Sequence, residues 1–201
     1  MTCEKLQYFK EREEDTMSQA FIFLGSGYEE VEMLTVVDML RRADISIDMV
    51  SITGSKEVTG SHNITITADK LLEEADFNQA DMLILPGGIP GTPNLRNCEM
   101  LCSQLKEFAA HGKWVAAVCA APTILGELEI LKGKKATCYP SFSDKLATGD
   151  YVKQAVVVDG HVITSRGMGT CIEFAGAIIE ALKDKATADA VKQAIIYNDT
   201  Y

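Results

Sequence analysis

Cys119 stands where the largely apolar run Lys113-Trp114-Val115-Ala116-Ala117-Val118 meets Ala120-Ala121-Pro122-Thr123. A short, continuous apolar run reads as a strand buried on both faces of a parallel sheet. Proline suits a first helical turn, because the amide hydrogen it lacks would have no partner there. The cysteine therefore falls at a strand-to-helix corner, and its small neighbours allow a tight, strained turn. A thiol at such a corner sees free N–H groups and the positive end of a helix, which favour the thiolate, a nucleophile. The competing reading is a buried structural cysteine, since free cysteines are among the most buried residues.

Two further stretches bring unusual chemistry to the ends of apolar runs. Glu29, Glu30 and Glu32 crowd a predicted helix start after Gly25-Ser26-Gly27, and Pro86-Gly87-Gly88 stops the run Met82 to Leu85. All three glutamates suit the helix dipole; the stripe Met33, Val36, Val37 and Leu40 puts Glu29 nearer the buried face. Gly87-Gly88 is at least a turn, and glycine also lets backbone approach a ligand closely.

These groups need elements to hold them. The pattern predicts strands at Ala20–Leu24, Ile45–Ile52, Met82–Leu85 and the run before Cys119, with helices over Tyr28–Arg42, Glu99–Ala110, Thr170–Leu182 and Ala186–Ile196. Val58–Thr67 reads as a hairpin or edge extension. Ala155–Val158 and His161–Thr164 form a second hairpin across Asp159-Gly160. Leu131–Asp150 reads as irregular. Alternating strands and helices imply an α/β fold, a doubly wound, mostly parallel sheet sandwiched by helices. In such sheets sites form beyond the carboxyl ends of the strands, where the fold brings the glutamates, the glycines and Cys119 to one edge.

With 201 residues, residues 18–201 are expected to make one domain. Residues 1–17 are expected to lie outside it as an N-terminal extension. Arg12-Glu13-Glu14-Asp15 is encodable by a purine-rich, ribosome-binding-like stretch, which makes Met17 the expected natural start. The net charge of −10 argues against a nucleic-acid binder, and no transmembrane run or secretory signal is present. Six cysteines without a C-x-x-C pair fit a reducing, cytoplasmic setting. Cys98 and Cys102 share a helical spacing, but no histidine or second pair completes a metal site. Gly25-Ser26-Gly27 lacks the further glycine of a dinucleotide fingerprint, so neither cofactor nor metal is expected.

Taken together the motifs resemble the ThiJ/PfpI superfamily, specifically its DJ-type branch and closest to the bacterial YajL-like members. The resemblance rests on Gly27-Tyr28-Glu29-Glu30-Val31-Glu32 with Val37-Asp38 and Arg41-Arg42, Leu85-Pro86-Gly87-Gly88, Ala117 to Thr123, and Thr164 to Thr170 with Glu173-Phe174. It covers about Ser18 to Ile196 and implies a flavodoxin-like fold of the class I glutamine-amidotransferase type. It also implies that Cys119 is the reactive residue, that Glu32 is the acid beside it, and that the N–H groups of Gly88 and Ala120 form an oxyanion-type pocket.

The activity implied is a cofactor-independent glyoxalase or deglycase acting on methylglyoxal-like dicarbonyls or glycated groups. The alternative is a redox-sensing stress protein or chaperone with an oxidisable cysteine. A peptidase or amidotransferase on the same fold is disfavoured, because Ala120 stands where protease-like members place a histidine. Tyr139 replaces a histidine common near the site, and Met168 a proline of a Gly-Pro-Gly turn. His62, His111 and His161 read as surface residues, although His62 matches roughly a family position that can reach the neighbouring subunit's site. The resemblance further implies a homodimer, with Val31–Arg42 and Val58–Thr67 as the expected interface.

Overall fold

In the computed structural model, which describes residues 18–147 and 150–197, seven strands form the central sheet. The predicted extension, residues 1–17, falls outside the described residues. The strands are β1 (Gln19–Leu24), β2 (Ser46–Ser51), β5 (Lys70–Leu71), β6 (Met82–Leu85), β7 (Trp114–Val118), β10 (Val156–Asp159) and β11 (Val162–Ser165). Their spatial order is β10-β11-β7-β6-β1-β2-β5, parallel throughout except for the β10–β11 hairpin. β3 (Glu57–Thr59) and β4 (Thr65–Thr67) pair as a separate antiparallel hairpin, and β8 (Lys135–Ala136) pairs with β9 (Asp150–Tyr151).

Alternation along β1 explains the two covering layers. Phe21 and Phe23 point to one face, where they pack with Leu83, Leu105, Phe108 and Leu125. Ala20, Ile22 and Leu24 point to the other, with Met33, Val36, Leu40, Phe174 and Ile178. Strand side chains alternate with a period of two, so a strand apolar at every position needs helices on both sides. α3 (Glu99–Ala110) and α4 (Pro122–Glu127) cover the first face, while α1 (Glu30–Arg42), α5 (Cys171–Leu182) and α6 (Lys185–Ala194) cover the second. Burying one such phenylalanine stabilises the fold by about 2–3 kcal/mol.

Several details differ from the sequence expectation. α1 begins at Glu30 rather than Tyr28, because Glu29 is its N-cap: the Glu29 carboxylate accepts the Glu32 N–H at 2.8 Å. A side-chain cap of this kind contributes roughly 1 kcal/mol. A short helix α2 (Gly91–Arg96) and the two-residue edge strand β5 carry too little periodicity to be predicted. The segment expected to be irregular contains β8, β9 and a 3₁₀ stretch over Pro140–Lys145. Among the described residues no helix is long and apolar enough to cross a membrane.

The chain leaves β1 to one side toward β2 and to the other toward β6. Between β1 and β6 the strand order therefore reverses, which opens a crevice at the carboxyl edge of the sheet.

Candidate functional site

Cys119 follows β7 with φ 64°, a left-handed conformation that is uncommon outside glycine. The strain is of order 1–3 kcal/mol. Two hydrogen bonds hold it: the Cys119 N–H donates to Ser165 O at 3.0 Å, and Cys119 O accepts the Tyr139 N–H at 2.8 Å. The corner expected from sequence is thus tied to the end of β11 and to the Tyr139 loop. Its side chain is half-buried, whereas those of Cys138 and Cys171 are buried.

Glu32 lies in the first turn of α1 and is 1% exposed. Its Oε2 accepts the Gly87 N–H at 2.8 Å, its carboxyl group is hydrogen-bonded to the Cys119 thiol, and the Met168 N–H also faces it. Burial raises its pKa to about 7, even though the Gly87, Cys119 and Met168 contacts favour the ionised form. Gly87 makes this pairing possible. A Cβ at that position would meet both Cys119 Cβ and Glu32 Oε2 at 2.6 Å, closer than real side chains approach.

The thiol differs from expectation. Burial pushes its pKa up, and the ionised Glu32 beside it pushes in the same direction; the N–H groups of Ala120 and Gly88 pull it down without prevailing. The short helix α4 does not outweigh a buried carboxylate in contact with the sulfur. The sulfur is therefore a thiol hydrogen-bonded to a buried carboxyl group, rather than a free thiolate. The N–H groups of Gly88 and Ala120 face that sulfur, as a donor pair for charge developing beside it.

Of the three glutamates only Glu32 meets the cysteine. With α1 starting at Glu30, Glu29 becomes a cap outside the helix, and the buried-face expectation for it gives way to Glu32. Glu30 is also buried, at 2% exposed, but its carboxylate turns to the hairpin tip, where it accepts the His62 N–H at 2.7 Å.

The sulfur opens into a cavity of about 400 Å³ lined by Glu29, Ser61, His62, Gly88, Ile89, Cys119, Ala120, Tyr139 and Phe142. His62 is exposed, as expected, yet it borders this cavity within the same chain. Sequence reasoning missed that, since the fold, and no local pattern, brings the β3–β4 tip to the start of α1. His111 and His161 lie away from it, His111 at the end of α3 and His161 against Trp114. Glu29, Glu30 and His62 have one ligand atom each within 4.8 Å of one another, an acidic group engaged in its own hydrogen bonds.

A sequence model of the DJ-1/PfpI family matches residues 18–181. Protein DJ-1 homolog B of Arabidopsis thaliana is 39% identical over 163 residues, which cover 81% of this chain but only 37% of that longer protein. The glutathione-independent glyoxalase DJR-1.2 of Caenorhabditis elegans is 32% identical over 157 residues, covering 77% of this chain and 83% of that one. The crystal structure of Drosophila melanogaster DJ-1beta superposes with a TM-score of 0.87 at 34% identity, covering 92% of this chain and 100% of that one.

Proposed function

Because this chain belongs to the DJ-1/PfpI family, we propose that it is a cysteine-dependent, cofactor-independent glyoxalase acting on methylglyoxal-like dicarbonyls. The observation that carries the reading is Cys119, lining an open cavity, with the buried Glu32 carboxyl group hydrogen-bonded to its thiol. The similarity to a glutathione-independent glyoxalase supports it. Early glycation adducts, whose hemiaminal carbon is the former aldehyde carbon and releases the amine as the thiol takes its place, extend the substrate class to deglycase chemistry. Five free thiols among the described residues fit a reducing compartment such as the cytoplasm.

Sγ of Cys119 attacks the aldehyde carbon, and the carbonyl electron pair moves onto oxygen beside the Gly88 and Ala120 N–H groups. Glu32 takes the thiol proton and returns it to that oxygen, leaving a hemithioacetal. Glu32 then removes the hydrogen on the same carbon and delivers a proton to the neighbouring carbon. The hydroxyl proton of the hemithioacetal passes to the former ketone oxygen, so the ketone becomes an alcohol and the hemithioacetal a thioester. Water adds to the thioester, the C–S bond breaks, and lactate leaves as the thiol regains its proton. A carboxyl group with a pKa of about 7 exchanges protons readily in both directions near neutral pH. Dialysed protein is expected to convert methylglyoxal to lactate without glutathione. Lactate at no more than the uncatalysed rate would overturn the reading.

We also propose that the protein is a homodimer. The outer face of α1 leaves Val31 and Leu34 46% and 42% exposed, and Ile64 at the neighbouring hairpin is 51% exposed. Apolar residues grouped in this way mark an interaction surface. Light scattering is expected to give twice the chain mass, and Leu34→Glu to give the single mass; a wild-type monomer at micromolar concentration rejects the dimer.

A further inference from the structure

The proton transfer proposed above puts negative charge on two oxygens in turn. When the hydrogen leaves the sulfur-bearing carbon, its electron pair forms the C=C bond of an enediolate, and the ketone π pair moves onto the second oxygen. The Gly88 and Ala120 N–H groups face the sulfur and serve the first oxygen. The second oxygen, one carbon further into the cavity, needs a donor of its own.

The cavity wall carries one imidazole, and it is held in place. Glu30, 2% exposed, accepts the His62 backbone N–H at 2.7 Å and lies 2.9 Å from His62 Nδ1. Ser61 Oγ donates to the same carboxylate at 3.2 Å, and Gly60 packs against the Glu30 side chain so closely that a Cβ would collide with it. A carboxylate can only accept, so Nδ1 carries a hydrogen, and Nε2 is the ring atom without a hydrogen-bond partner among the described residues. Although burial opposes it, the His62 side chain and backbone hold Glu30 down at about 2, so the carboxylate stays ionised and fixes the ring throughout the neutral range. The reciprocal bond raises the His62 pKa, favouring a hydrogen on Nε2.

We propose that His62, oriented by the buried Glu30 carboxylate, is a second electrophilic group of this site, whose Nε2–H binds the substrate oxygen next to the one held by Gly88 and Ala120. His62 is then a catalytic residue and Glu30 a positioning residue. The inference rests on the glyoxalase reading. It also fits the substrate class: a 1,2-dicarbonyl has two adjacent oxygens, and a simple aldehyde leaves this donor idle.

The titratable groups around the ring are Glu29 and Glu30 at the start of α1, with Cys119, its partner Glu32, and Tyr139 across the cavity. Because the donor form of Nε2 is protonated, kcat for methylglyoxal should fall as pH rises through the His62 pKa. The test compares wild type, His62→Ala, His62→Gln and Cys119→Ser across neutral and alkaline pH, with melting temperatures matched. His62→Ala is expected to lower kcat about tenfold with KM within about twofold, less than for an enclosed donor because the ring is exposed. His62→Gln, still a donor, is expected to retain about a third of wild-type kcat, and the alkaline limb should disappear in both variants. Wild-type kcat in His62→Ala, or a reduced kcat with the alkaline limb intact, overturns the proposal. If either occurs while Cys119→Ser is inert, the glyoxalase reading stands without His62; an active Cys119→Ser removes the reading itself.

Discussion

Replacing Cys119 with serine is expected to lower lactate formation from methylglyoxal by at least about 10³-fold, leaving only background conversion. The change substitutes one atom and leaves the hydrogen bonds from the Cys119 N–H to Ser165 and from the Tyr139 N–H to Cys119 O untouched. Serine meets the same left-handed strain, so melting temperature should stay close to that of wild type. What is lost is nucleophilicity. An alcohol ionises far less readily than a thiol, and Glu32 is too weak a base to compensate. Lactate yield and thermal unfolding measured on the same preparations check this; a serine variant within twofold of wild type would reject the covalent step.

Glu32→Gln should be nearly as severe, lowering kcat about 10²–10⁴-fold, because the amide can neither take the thiol proton nor carry a hydrogen between the two carbons. Its pH signature runs opposite to that of His62. Glu32 must be ionised to accept a proton, so wild-type kcat should rise with pH through about 7, and this acid limb should vanish in the variant. Stability carries a second signature. The carboxyl pKa is raised from 4.5 to about 7 in the folded protein, so its protonated form favours folding. That contribution is full below the unfolded pKa and is lost as pH rises through the folded one, by an amount of order 3 kcal/mol. The amide of the variant stays neutral at every pH, so denaturant titrations should show the variant gaining on wild type between those pH values. Parallel stability curves would place Glu32 outside the buried environment described above.

The sequence made part of this site legible. Strands apolar at every position demanded helices on both faces, and Pro122 with its small neighbours announced the corner at Cys119. Gly87-Gly88 announced a close backbone approach. Glu32 was different: the pattern favoured Glu29, and only a resemblance singled out Glu32. The missing information was one residue of helix register, decided by whether Glu29 winds into α1 or caps it. The protonation of Cys119 was misjudged for a related reason. Sequence exposes the helix that would favour a thiolate, but not the desolvated carboxylate 87 positions upstream that opposes it. His62 reads from sequence as a surface residue, and its place at this chain's own cavity is not legible there because it depends on a hairpin tip folding back onto Glu30.

Cys119 is secured by Ser165 and Tyr139, both well after it in the chain, while its acid comes from well before it. The geometry of Cys119 depends on β11 lying beside β7, because its N–H is held by Ser165 at the end of β11. Until those segments meet, the sulfur has neither the carboxyl group nor the backbone N–H groups that surround it in the fold.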